Sequence, residues 1–142
     1  CRSWLPNEIG GLVWLAWDNV ASSIYTPHYC SITKVPETTS TPGRENGFTR
    51  KSAWWAFNAM SSLAHQRWGD MRKDVRAVWD PWQKELFDNQ KSFEQKALDL
   101  LKKDRAKAIN FITDYCFDWQ EKVVERCWIL FEELLTKYDE LY

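Results

Sequence analysis

The spacing of apolar residues changes along this chain. Near its start, residues 12–17 form a continuous apolar run of strand length, rich in β-branched and aromatic side chains. Asp18 and Asn19 follow and have turn-forming chemistry. A second short strand is predicted over residues 22–26, ending at Pro27, because proline cannot donate to a sheet ladder. The pattern predicts a β-hairpin, which is too small to be stable by itself.

From about residue 50 onward, apolar residues recur every three or four positions, the period of an amphipathic helix. A first helix is predicted over residues 52–68, with Gly69 as its stop signal. Asp70 is predicted to cap a second helix. Asp80-Pro81 then combines a capping residue with a proline that suits a first helical position, so a kink or a restart is expected there.

The last predicted helix, about residues 104–139, has two adjacent apolar stripes. A face this broad must pack against more than one neighbouring element. The stripes are Ile112, Cys116, Trp119, Val123, Cys127, Leu130 and Leu134, and beside them Val124, Trp128, Phe131, Leu135 and Tyr138.

These elements predict an α+β fold in which a β-hairpin precedes a predominantly helical bundle. The chain divides into terminal strands over 1–36, an exposed loop over 37–47 and a helical region over 48–142. The loop has no apolar residue to fix it, so it is either a lid-like segment or an exposed connector. Gly10-Gly11 before the first strand indicates either a close approach of backbone or a simple bulge.

Charge and hydropathy exclude two classes of partner. The 142 residues carry 19 basic and 20 acidic side chains, so no basic excess indicates a nucleic-acid partner. No apolar run approaches the ~18 residues of a transmembrane helix, and no membrane partner is expected. Ten tryptophans are unusual. They either fill the core or form a surface for sugars or peptides, and their apolar positions favour the core.

Cysteine and histidine spacing argues against a metal site. The four cysteines lie at positions 1, 30, 116 and 127, without a Cys-x-x-Cys pair, and the two histidines are far apart in sequence. Cys116 and Cys127 fall on one predicted helix about 16 Å apart, too far for a disulfide, and are interpreted as small buried apolar residues. No phosphate loop or other cofactor motif is present, so no cofactor is expected. The cellular compartment stays open.

Cys1 is the one candidate nucleophile that the sequence offers. A cysteine at a true N-terminus can attack a carbonyl with its own α-amine as the base. No oxyanion-hole motif accompanies Cys1, so a catalytic role is not favoured.

An ordered set of short motifs resembles the C-terminal third of the dipeptidase-A family, whose members are related to the secernins. The motifs are Arg2-x-x-Leu5-Pro6-x-x-Ile9-Gly10-Gly11-x-x-Trp14, Ser23-x-Tyr25-x-Pro27-x-Tyr29, Val35-Pro36 and Ser52-Ala53-Trp54-Trp55-Ala56-Phe57-Asn58. They cover about residues 1–70, and the later helices fit in character only.

The resemblance implies a cysteine dipeptidase of the N-terminal-nucleophile (Ntn) hydrolase class, built on an αββα sandwich that ends with this hairpin. Its nucleophile would lie upstream of the matched part, so Cys1 does not match it and no catalytic residue is expected in this chain. The chain alone is therefore expected to be inactive. Arg2 matches a family arginine that either binds a substrate carboxylate or pairs with a structural acid.

The resemblance also sets the expected partners. The parent protein would take short peptide substrates, and the chain alone would self-associate or contact the N-terminal part of the parent. A different function stays open, that of a non-catalytic helical interaction module with a tryptophan-rich face.

Overall fold

The computed structural model describes residues 1–139, and it confirms an α+β fold with a small hairpin before a helical bundle. Residues 140–142, the end of the predicted helical region, lie outside the described residues. The elements in chain order are α1 (Asn7–Gly10), β1 (Leu12–Leu15), β2 (Thr26–Tyr29), α2 (Glu37–Ser40), α3 (Ala53–Gln66), α4 (Trp68–Leu101) and α5 (Arg105–Tyr138). Two 3₁₀ turns, Val20–Ser22 and Arg44–Asn46, interrupt the connections.

The sheet consists of β1 and β2 paired antiparallel, with Leu12 opposite Tyr29 and Leu15 opposite Thr26. The prediction that the second strand ends at Pro27 is wrong, since Pro27 lies inside β2 opposite Trp14. Among the described residues the sheet has only these two strands, so both are edge strands. An edge strand tolerates proline because one of its sides needs no ladder donor.

The predicted second strand, residues 22–26, is mostly a loop that α4 holds in place. Three side chains of α4 bond to its backbone: Trp79 Nε1 donates to Ser22 O (3.1 Å), Arg76 Nη1 to Ser23 O (2.9 Å), and Gln83 accepts from Tyr25 N (2.8 Å) and donates to Tyr25 O (3.2 Å). Helix side chains thus satisfy the backbone groups that a strand partner would otherwise bind.

The reversal between α3 and α4 differs from its prediction. Helix α3 begins as expected after Ser52, whose hydroxyl accepts from Trp55 N. It ends at Gln66, and α4 starts at Trp68, so Gly69 and Asp70 lie in the first turn of α4. The break falls at Arg67, whose backbone is non-helical (φ −138°, ψ 56°). Asp70 binds the Arg67 guanidinium at 3.2 Å instead of capping the helix.

Helix α4 runs through Pro81 without a restart, contrary to one of the two expectations for that position. Proline in a helix interior removes one hydrogen bond and crowds the preceding turn. Burial of the α4 face compensates for this cost, since side chains before and after the proline are fully enclosed. Among them are Val75, Trp79 and Leu86.

Helix α5 confirms its prediction closely. Asp104 caps it, accepting from Lys107 N at 3.2 Å, and every residue of the first stripe is buried. In the second stripe Phe131 is half-buried and Leu135 is exposed. Helices α4 and α5, each about 50 Å long, pack antiparallel. Phe93 stacks on Phe111 near the connection between them, and Lys137 binds Asp74 at the opposite end.

Residues 37–47 contain α2 and a 3₁₀ turn, although the sequence predicted only a loop. The indole N–H of Trp55 donates both to Gly43 O (3.0 Å) and to Gly47 O (2.8 Å). Of the two interpretations of this segment, these bonds support a fastened connector rather than a free lid.

Replacement of Pro81 tests whether α4 is continuous. In a continuous helix, Pro81→Ala restores an N–H donor and removes a steric clash, so the free energy of unfolding should rise by about 1–3 kcal/mol. Urea denaturation of both proteins measures the difference. An unchanged or lower stability would contradict the continuous helix and favour a restart with Pro81 at its first position.

Candidate functional site

The N-terminal segment folds back on itself and places Arg2 next to α1. Arg2 N donates to Gly10 O at 3.0 Å. A Cβ atom on Gly10 would lie 2.9 Å from Arg2 O, closer than such atoms approach in proteins. Of the two interpretations of Gly10-Gly11, the structure therefore supports close approach at Gly10.

The Arg2 guanidinium forms a two-pronged ion pair with Glu94 of α4, 92 residues away. Nη1 lies 2.8 Å from Glu94 Oε2, and Nη2 lies 2.7 Å from Oε1. Nη2 also donates to Ile9 O at 2.8 Å. Arg2 thus pairs with a structural acid, one of the two roles that the sequence left open. A role in binding a substrate carboxylate stays a prediction.

Glu94 is the acceptor at the centre of this cluster. It also accepts from Tyr29 Oη (2.8 Å) and from Gln90 Nε2 (3.1 Å). Burial alone would raise the pKa of the Glu94 carboxyl, but the bonds from Arg2, Tyr29 and Gln90 outweigh burial and lower that pKa. The carboxylate is therefore ionised, paired and held in one orientation.

The sequence analysis did not identify Glu94 as a candidate residue. The structure shows Glu94 only 9% exposed. Its position in the sequence could have identified it, because Glu94 follows Phe93 and precedes Ala97 by three residues, both on the buried face of α4. A carboxylate on such a face requires a cationic or donor partner.

The lining of the cluster contains no activated thiol. Cys116 packs with Tyr29 and Phe93 in a small core cluster, and burial raises the pKa of its thiol to about 11. Burial also raises the pKa of the Cys127 thiol in the main core. Both are free and buried, as predicted, and both remain protonated at neutral pH.

Cys1 is free and exposed. Among residues 1–139, no hydrogen bond joins it to a histidine or a carboxylate. His65 is already engaged, with Nδ1 2.6 Å from Ser61 O and Nε2 3.1 Å from Asn19 Nδ2. In the same part of the chain, no three histidine, cysteine or acidic side chains come close enough to hold a metal ion. The structure does not assemble a catalytic group around Cys1.

Comparison with protein-family models matches residues 1–81 to peptidase family C69, which is more than half of the chain. The chain belongs to peptidase family C69. This confirms the resemblance to the dipeptidase A and secernin group. No curated protein and no solved structure matches the chain.

The C69 segment contains Arg2, the hairpin, α3 and the first part of α4, and it ends at Pro81. Glu94 and all of α5 lie beyond it. The Arg2–Glu94 pair therefore joins the family segment to the helices that follow. Within residues 1–139, no helix combines the length and the apolar composition that crossing a membrane requires.

Loss of one partner of the pair should be costly. Glu94→Gln leaves the Arg2 guanidinium, 24% exposed, without its counter-charge, and the free energy of unfolding should fall by about 3 kcal/mol. The double change Arg2→Met with Glu94→Leu should recover only part of that loss, since an apolar pair needs no counter-charge but leaves the buried Tyr29 hydroxyl without its acceptor. Urea denaturation measures all three proteins.

Glu132→Gln is the matched control because it breaks the exposed Arg50–Glu132 pair, with an expected loss below about 1 kcal/mol. Equal losses in the two single variants would refute a special role for Glu94.

The pKa of Glu94 is lowered by folding, so its contribution to stability exists above the unfolded pKa of about 4.3 and disappears as the pH falls further. The stability gap between wild type and Glu94→Gln should therefore close in acid.

Proposed function

We propose that this chain is the C-terminal region of a cysteine-type dipeptidase of the Ntn hydrolase class, acting on short peptides. The observation that carries the proposal is the match of residues 1–81 to peptidase family C69. The ordered motifs from Arg2 to Asn58 support the finer assignment, because they follow the dipeptidase-A pattern in sequence and spacing.

In the proposed reaction, a cysteine upstream of this chain attacks the scissile carbonyl as a thiolate, and the new amine leaves. Water then hydrolyses the acyl-enzyme and regenerates the thiol. No residue of this chain is proposed as nucleophile. Its contribution is positional, since α4 and α5 hold the last strands of the sandwich in place. The Arg2–Glu94 ion pair fastens the start of the chain to α4.

The outward face of the hairpin supports the presence of a further layer against it. Val13 and Leu15 are 48% and 44% exposed on this face. A neighbouring segment with apolar side chains fits this surface.

Hydrolysis of dipeptides by the full-length protein and by this 142-residue chain tests the proposal directly. We expect the full-length protein to be active and the chain alone to be inactive, because the proposed nucleophile lies upstream. Intact mass should show that the mature full-length protein begins with that cysteine. Replacement of that upstream cysteine by alanine should abolish hydrolysis. Replacement of Cys1 by alanine in the full-length protein should leave kcat/KM unchanged.

Two results would contradict the proposal. If the 142-residue chain hydrolyses dipeptides and Cys1→Ala abolishes the activity, Cys1 is the nucleophile. If neither protein hydrolyses peptides although both are folded by circular dichroism, the dipeptidase assignment is wrong. An interaction module then becomes the better interpretation.

Self-association of the isolated chain provides a separate test of the hairpin face. An exposed sheet with open edges and apolar side chains is prone to pair with another copy. We expect light scattering to show concentration-dependent dimers or larger species, and Leu15→Lys to shift them toward monomer. Ile129→Lys, at an equally exposed apolar residue on α5, should have no such effect. A monomer at all concentrations would argue against an uncovered face.

The alternative of a tryptophan-rich interaction module has less support. Of the ten tryptophans, Trp4 alone is exposed, at 78%. Trp79, Trp119 and Trp128 are buried, and the rest are half-buried against the core or the loops. Most of the indoles therefore stabilise the fold, as their positions in the sequence favoured.

A further inference from the structure

A groove of about 430 Å³ lies beside the N-terminus of α3, away from the Arg2–Glu94 pair. Its walls come from three parts of the C69 segment: the β1–β2 connection, the turn after α2 and the first turn of α3. The lining residues are Trp17, Thr41, Pro42, Gly43, Arg44, Glu45 and Trp54. Two indoles and two charged side chains therefore share one surface depression.

The wall formed by residues 41–45 is fixed before any ligand arrives. Gly43 lies against the face of Trp54, because a Cβ atom there would be 2.7 to 2.9 Å from three ring carbons. The double hydrogen bond from Trp55 holds Gly43 O, and Ser52 Oγ holds Thr41 O at 3.3 Å. A rigid wall lowers the entropic cost of binding a small molecule.

The opposite wall is also fastened. Trp17 N donates to Ser23 Oγ at 3.2 Å, and the next residue, Asp18, accepts from Asn58 Nδ2 of α3 at 3.0 Å. Asp18 adopts a left-handed backbone (φ 56°). That conformation is uncommon outside glycine, asparagine and aspartate, so an aspartate at this position lets the chain turn directly after Trp17.

Neither of the two charged side chains in the groove forms an ion pair within residues 1–139. The Arg44 guanidinium lies 5.7 Å from the Trp54 ring centroid, and no ion pair joins Arg44 or Glu45 to another described side chain. A neutral sugar would leave both charges unused. A zwitterion with an apolar side chain would use the indoles, the guanidinium and the carboxylate together.

We propose that this groove binds a short peptide with two free ends, its apolar C-terminal side chain against Trp17 and Trp54. Its carboxylate pairs with Arg44 and its ammonium with Glu45. The choice of a peptide rests on the proposed dipeptidase function, whereas the location rests on the groove itself. The site would then position substrate or product next to the sandwich rather than perform chemistry.

Titration of the 142-residue chain carrying Leu15→Lys, the change expected to favour the monomer, with Ala-Leu tests the site, with indole N–H signals in ¹H–¹⁵N NMR spectra as the readout. We expect millimolar binding that shifts the Trp17 and Trp54 signals. The amide Ala-Leu-NH₂ and N-acetyl-Ala-Leu should each bind about tenfold more weakly, because each lacks one charge. Arg44→Gln should weaken Ala-Leu to the level of the amide and leave the amide unaffected.

Arg50→Gln is the matched control, because Arg50 also lies over an indole, that of Trp128, outside the groove. It should leave binding of Ala-Leu unchanged. Equal effects of the two arginine variants, shifts confined to other indoles, or binding of maltotriose in preference to Ala-Leu would each overturn the proposal.

Hydrolysis assays separate this inference from the proposed function. Peptide binding at Trp17 and Trp54 by a protein that never hydrolyses peptides would retain the site and reject the dipeptidase. Hydrolysis by the full-length protein without any binding in the groove would retain the dipeptidase and reject the site.

Discussion

Two strands of four residues bury too little surface to persist by themselves, and this constraint shapes the molecule. The hairpin is stable only because α4 and α5 supply a second layer. Side chains of α4 bond to the backbone at Ser22, Ser23 and Tyr25, and the inward face of the sheet packs on Phe87 and Phe93. The long helices are therefore part of the sheet's structure rather than an addition to it.

The Arg2–Glu94 pair fixes the position of the hairpin relative to α4. Apolar packing tolerates small shifts, whereas a two-pronged ion pair with bonds from Tyr29 and Gln90 accepts one geometry. The pair ties the start of the chain, the end of the hairpin and the middle of α4 to one point. An active site assembled on such a sheet would need this kind of fixed reference, because small displacements of catalytic groups are costly.

Periodicity in the sequence predicted the helices well and their boundaries less well. The α5 stripe from Ile112 to Leu134 was predicted because its burial follows a local period. Pro81 was misinterpreted because it is a local stop signal that packing of the α4 face overrides. At Gly69 the predicted break falls only two residues from the actual one, at Arg67. Pro27 was wrongly predicted to end the second strand, because a strand tolerates proline only at a sheet edge and the sequence does not show which strands pair.

The candidate site was predictable in part. The motifs identified Arg2, but its partner lies 92 residues away, and no local pattern links the two. The groove was invisible because its walls come from three segments that only folding brings together. Arg44 and Glu45 lie in a segment that composition describes merely as a loop.

The continuity of α4 has a consequence for how this chain can vary. Helical phase accumulates at about 100° per residue, so a one-residue insertion between Pro81 and Glu94 would turn the carboxylate far away from Arg2. The part of α4 between Pro81 and Glu94 is thus free to change its surface but not its length. Its helical register is coupled to the position of the hairpin that α4 supports.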